Sequence, residues 1–214
     1  MHKYNSIVFD CDGVILNSNK IKTEAFYDVA LRFGESPANE LVKFHKKNGG
    51  VSRFLKFQFF YEEILKISFD EKDIHALTKE YGNIVFKKLL KCEINKDLSY
   101  LKNLSNNVDW MVASGSYQVE LRRVFEERKI SKLFNKGIFG SPDTKENILE
   151  RELELNNISL PGLFIGDSKY DYYSSKKHGF DFIFMSNWTE VADWKNFCMV
   201  NKIKHTSDLK SLSI

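Results

Sequence analysis

Residues Ser6-Ile7-Val8-Phe9-Asp10-Cys11-Asp12-Gly13-Val14 run from an apolar segment straight into two carboxylates that flank a cysteine. So short an apolar run, bounded by polar residues, reads as a strand buried on both faces. If strand alternation carries on past Phe9, Asp10 and Asp12 lean to one side and Cys11 to the other. The two acids then act as a unit, and the cysteine is a small core filler. Gly13 permits a backbone conformation or close approach that a side chain would obstruct.

Four further apolar runs, Trp110–Ala113, Gly137–Phe139, Leu163–Ile165 and Phe182–Phe184, are each followed by a polar turn and a helical pattern. The helical patterns include Tyr117–Lys129 and Thr144–Asn156. Short strands alternating with helices give a parallel sheet covered on both faces, an α/β doubly wound core. One connection breaks the rhythm: about a hundred residues separate the first strand from the second, where such loops need only a handful. This stretch is helical throughout, at Ile21–Phe33, Asn39–Asn48, Arg53–Ile67 and Glu71–Leu89, with breaks at Gly34-Glu35-Ser36-Pro37 and Asn48-Gly49-Gly50. The expected organisation is an α/β core of residues 1–16 and 87–214 with a small all-helical domain, residues 17–86, inserted over the strand ends.

Composition fits a globular chain: 214 residues with 43% apolar and 29% charged residues and 18 Phe to fill a core. The net charge of +3 is spread over Lys runs mixed with Glu and Asp, which reads as solvated helix faces and not as a nucleic-acid surface. Cys11, Cys92 and Cys198 are odd in number and lack metal-site spacing, so neither a disulfide framework nor a zinc site is indicated. The opening apolar segment is too short for a leader or a membrane span, and the expected location is a reducing cytoplasm. The expected assembly is a monomer or weak dimer.

In an open parallel sheet ligands bind beyond the carboxyl ends of the strands. The polar residues there are Asp10 and Asp12, then Ser114-Gly115-Ser116, then Gly140-Ser141-Pro142 with Lys145, then Gly166-Asp167-Ser168 with Asp171. Crowded carboxylates repel and take up protons unless a cation lies among them. A hard ion such as Mg²⁺ suits such oxygens, and sites of that kind act on phosphate. One carboxylate can then attack phosphorus and a second can move the proton. Lys145 and the Ser114-Gly115 turn are placed to balance charge on a transferring phosphoryl group.

These motifs, in this order, resemble those of the haloacid dehalogenase-like superfamily, and the resemblance spans nearly the whole chain. Asp10-Cys11-Asp12-Gly13-Val14 matches its D-x-D-G-[TV] motif, Val112-Ala113-Ser114-Gly115 its second, Lys145 its third and Gly166-Asp167-Ser168-Lys169-Tyr170-Asp171 its G-D-x-x-x-D motif. The inserted helices are similar to the cap of the phosphoglycolate phosphatase and β-phosphoglucomutase branch, which implies a flavodoxin- or Rossmann-like core. The resemblance implies a nucleophile at Asp10, a general acid/base at Asp12, and Mg²⁺ held by Asp10, the Asp12 carbonyl and Asp167. Asp171 would support the metal or orient Lys145, while Ser114, Gly115 and Lys145 would grip the phosphate.

Asp12 argues for a phosphate ester over a halide, because an alkoxide leaving group needs a proton. The implied activity is a phosphatase of a small phosphomonoester, a sugar phosphate or a phosphoglycolate-like compound. A sugar phosphomutase is the alternative enzyme reading, but mutases of this branch carry histidine where this chain has Lys22. A phosphate-sensing module that keeps the fold is the non-enzyme alternative. Arg53 and Lys22 are candidate cap contacts to substrate, and Arg53 and Lys56 are cap basic residues that could meet the non-reacting part of an anionic substrate; both also read as a solvated face. His2, His45, His75, His178 and His205 fall outside every motif and receive no role.

Overall fold

The computed structural model describes residues 3–212, so His2 lies outside the described residues. Strands β1 (Ser6–Phe9), β2 (Asp109–Tyr117), β3 (Ile138–Ser141), β4 (Gly162–Gly166), β5 (Asp181–Met185) and β6 (Lys204–Thr206) form one parallel sheet in the order β3-β2-β1-β4-β5-β6. β1 lies between β2 and β4, pairing Phe9 with Val112 on one side and with Ile165 on the other. The chain winds in opposite directions from this strand, so its carboxyl end faces the crevice where such sheets bind ligands.

Every residue of β1 is buried, as a central parallel strand requires. Ile7, Phe9, Trp110, Val112, Leu163 and Ile165 contribute to one core, and Val8, Met111, Ala113, Phe164 and Phe184 to the other. Period-two alternation therefore fills both faces. The helices that cover them include α5 (Leu98–Leu104), α6 (Gln118–Glu127), α7 (Lys145–Glu154), α8 (Lys169–Lys177) and α9 (Trp194–Val200).

Between β1 and α5 the chain is helical: α1 (Asn19–Ala30), α2 (Glu35–Lys47), α3 (Arg53–Phe59) and α4 (Glu71–Leu89). Asp70 starts α4 through a capping box with Asp73. Phe26, Phe57, Phe60 and Tyr81 pack together inside this layer, which explains the aromatic-rich sequence there. No helix among the described residues is long and apolar enough to cross a membrane.

Several boundaries differ from the expected ones. α2 begins at Glu35, inside the expected break, because Pro37 falls in its first turn, where a missing N–H costs nothing. The helix expected over Arg53–Ile67 is α3 followed by a π-helical turn at Phe60–Leu65, and it stops where Lys66 turns left-handed. The Ser114-Gly115-Ser116 turn is part of β2, whose register against β3 shifts between Ala113 and Tyr117. α9 and β6 carry no apolar periodicity strong enough to be expected. Residue 86 lies within α4.

Candidate active site

β1 ends at Phe9, and Asp10 extends the ladder by one bond, its N–H donating to the Ile165 carbonyl at 2.9 Å. Asp10 is 3% exposed. Its Oδ1 accepts from the Cys11 N–H at 2.7 Å and lies 2.8 Å from Lys145 Nζ, which leaves Oδ2 as the free oxygen among the described residues. Cys11 packs in the core beneath, and burial holds its thiol well above the usual range, so it stays protonated and unreactive.

Asp10 and Asp12 both line the same cavity while Cys11 joins the core, and each carboxylate has its own cation. Asp12 is ion-paired with Lys22 of α1 and accepts from Ser18 Oγ at 2.5 Å and from Ser116 Oγ at 3.0 Å. Lys22 also donates to Ser116 Oγ at 2.5 Å. Burial pushes the Asp12 carboxyl up, but the Lys22 ammonium and these hydrogen bonds outweigh it and hold the group below the usual carboxylate range. Asp12 therefore rests ionised, not proton-bearing.

Lys145 opens α7, a poor place for a cation because the helix N-terminus is itself positive. Its ammonium is fully buried between Asp10 and Asp171, and the two carboxylates overcome burial to hold it above its ordinary range. Asp171 is fixed by the start of α8: Ser168 caps the helix and Asp171 Oδ2 accepts from the Ser168 N–H at 3.0 Å, so the G-D-x-x-x-D motif is also a capping box. Both Asp171 oxygens are thus committed, one to Lys145 and one to the helix start.

Asp10, Asp167 and Asp171 place carboxylate oxygens within 4.8 Å of one another. Burial, opposed by Lys145, raises Asp10 to about 7. Burial and the charges on Asp10 and Asp171 raise Asp167 well above the carboxylate range. A side chain at Gly13 would overlap Asp167 Oδ2, so that oxygen is kept clear of carbon. Two under-neutralised carboxyls side by side fit a divalent cation, consistent with a metal site.

Above these groups lies a cavity of about 80 Å³ lined from both layers. Gly115 and Ser116 line it, whereas Ser114 is buried beneath with its Oγ accepting the Ser116 N–H at 3.1 Å. A Cβ at Gly115 would overlap the Gly50 carbonyl, so the α2–α3 loop can seat on β2 only over glycine. Arg53 is not a solvated face: it is buried, and its two Nη atoms each lie 2.8 Å from a Glu120 oxygen on α6. Lys56 is likewise buried. Thr23 and Lys46 both meet Glu190, Lys46 at 3.5 Å, and Ser52 Oγ lies 2.7 Å from Ser141 Oγ.

Ser18, Asn19, His45, Glu120 and Glu190 all border this site without having been singled out for it in the sequence. Asn19 donates to Asp167 Oδ2 at 2.6 Å. Ser18 alone carried a signal, since it stands at the serine-or-threonine position that follows the first motif.

Residues 7–185 match the family model described as haloacid dehalogenase-like hydrolase. No curated protein sequence matches the chain. A family IA hydrolase from Entamoeba histolytica superimposes with a TM-score of 0.77 at 14% identity, covering 100% of this chain and 96% of that one. A β-phosphoglucomutase from Clostridium difficile gives 0.74 at 18% identity, covering 99% and 93%. A predicted phosphatase from Clostridium acetobutylicum gives 0.72 at 20% identity, covering 95% and 94%. At such identities the likeness speaks for the fold, and the family follows from the match over residues 7–185: this chain belongs to the haloacid dehalogenase-like hydrolases.

Proposed function

We propose that the protein is a Mg²⁺-dependent phosphatase of a small phosphomonoester, with Asp10 as nucleophile and residues 17–86 as a cap over the site. The observation that carries this reading is the Asp10 carboxylate: one oxygen is anchored by Lys145 and the Cys11 N–H and the other is free beside the cavity. Asp10, the Asp12 carbonyl and Asp167 would hold Mg²⁺, which when bound neutralises and polarises the phosphoryl oxygens.

The chain's own residues supply the rest. Asp10 Oδ2 attacks phosphorus as the bond to the ester oxygen breaks, and Asp12 gives its proton to the departing alkoxide. Water then attacks the same phosphorus, Asp12 takes its proton, and Asp10 and inorganic phosphate are released. Lys145 and the N–H groups of the Ser114-Gly115 turn balance the charge that develops on phosphorus. Asp12 is ionised while paired with Lys22. A bound phosphoryl dianion beside Asp12 raises its carboxyl and favours uptake of the proton that the first step uses, while the ionised form is the one that takes the proton of the attacking water.

Phosphate release from p-nitrophenyl phosphate and a metabolite panel, with Mg²⁺ and with EDTA, tests the reading. Activity that needs Mg²⁺ and vanishes in Asp10→Asn is expected; equal activity in that variant removes Asp10 as nucleophile.

A further inference from the structure

Four cationic side chains line the cavity, and three of them are already neutralised. Lys22 is paired with Asp12, Lys46 with Glu190 and Arg53 with Glu120. The fourth, Lys56 on α3, is 2% exposed and has no carboxylate partner among the described residues. Its amine lies 2.8 Å from His45 Nδ1, and the nearby Phe26 ring centroid is 5.5 Å away. An amine so placed has been taken out of water with one hydrogen-bond acceptor and no counter-charge, an arrangement that costs free energy unless something anionic arrives. A surface lysine would have turned to solvent, and a structural one would have met an acid. This one borders the same cavity as Asp10.

We propose that Lys56, steadied by His45, receives a second anionic group on the substrate, so that the protein prefers phosphomonoesters carrying a carboxylate or a further phosphate over neutral ones. This rests on the phosphatase reading for where the first phosphate sits. It also selects among the cap residues the sequence offered: Arg53 and Lys22 border the cavity, but their charges are committed to Glu120 and Asp12, so Lys56 holds the charge left to offer.

The protonation of Lys56 agrees. Burial, with the Lys22 ammonium added, lowers the amine to about 7. The charged groups that act on it are Lys22 on α1, Asp12 after β1, Lys145 on α7 and Glu190 beyond β5, while His45 on α2 is itself driven well below its usual range by burial and stays neutral. An anion beside the amine favours its charged form, so binding above pH 7 draws in one proton.

The test uses matched esters: phosphoglycolate against 2-hydroxyethyl phosphate, 6-phosphogluconate against sorbitol 6-phosphate, and glucose 1,6-bisphosphate against glucose 1-phosphate. kcat/KM is measured for wild type, Lys56→Met and Lys56→Gln. Binding to Asp10→Asn, with and without Lys56→Met, is followed calorimetrically at pH 8 in buffers of different ionisation enthalpy. We expect at least one anionic member to exceed its neutral match by tenfold or more, with proton uptake on binding, and both effects to vanish in the Lys56 variants. The carboxylate and bisphosphate pairs show which anion is meant. No preference in any pair, or a preference that survives loss of Lys56, overturns the proposal. Because the binding arm does not depend on turnover, an enzyme that hydrolyses none of these esters defeats the phosphatase reading while binding still decides the role of Lys56.

Discussion

Replacing Lys145 by Met removes the cation that Asp10 and Asp171 share at the base of the cavity. Three acids whose oxygens lie within 4.8 Å of one another are then left in a buried site without it. Removing one partner of a buried ion pair costs about 3–5 kcal/mol. We expect about 4 kcal/mol at pH 7.5 without divalent ions, roughly an 8–16 °C fall in Tm for a chain of this size.

The pH dependence separates this cause from a mere packing defect. Asp10 is raised from 3.8 to about 7 even with Lys145 in place. A carboxyl raised in the fold contributes stability that is fully present below its unfolded value and is lost as pH rises through its folded one. Without Lys145 the folded value rises further, so the deficit is largest above pH 7 and shrinks toward pH 5, where protonated Asp10 and Asp167 no longer repel. Urea unfolding of both proteins in EDTA at pH 5, 6, 7 and 8 measures this directly. A deficit below about 1 kcal/mol at pH 7.5, or one that widens on acidification, refutes the electrostatic account.

Other perturbations probe the remaining parts. Gly115→Val should lower kcat/KM by about a hundredfold or more, because the added carbons push the Gly50 loop off β2; unchanged kinetics would mean that this contact is dispensable. Lys22→Met leaves burial at Asp12 opposed only by the Ser18 and Ser116 hydrogen bonds, so the limb of the pH–rate profile that reports Asp12 should move upward, and an unmoved limb would show that Lys22 does not control it. Cys11→Val should keep kcat within about twofold, whereas Asp12→Asn should cut it by about 10²–10⁴; a dead cysteine variant would reverse the assignment of the whole motif.

How far the sequence carried this reading depended on the range of the signal. β1, β2 and β4 were legible because central parallel strands must be apolar on both faces, and the strand-end acids were legible because nothing else explains carboxylates there. β6 was not: Lys204-His205-Thr206 pairs on one side only and lacks an apolar run. Pro37 looked like a break and is instead a first-turn residue, a distinction set by which N–H groups the helix needs. Asp10 and Asp12 were visible as a pair, but which cation each takes was not: Lys145 stands far along the chain and Lys22 on the helix that follows, and no local pattern assigns them. The burial of Arg53 and Lys56 was hidden for the same reason, since Glu120, His45 and Phe26 meet them only in the fold.

The central claim is that Asp10 attacks phosphorus, and the most direct measurement is borohydride trapping during turnover of p-nitrophenyl phosphate with Mg²⁺, followed by peptide mass spectrometry. An acyl phosphate on Asp10 is reduced to homoserine, so homoserine at position 10 alone, dependent on substrate and absent from Asp10→Asn, is the predicted result. Steady hydrolysis with no modification at position 10, or with modification at Asp12 instead, would contradict it.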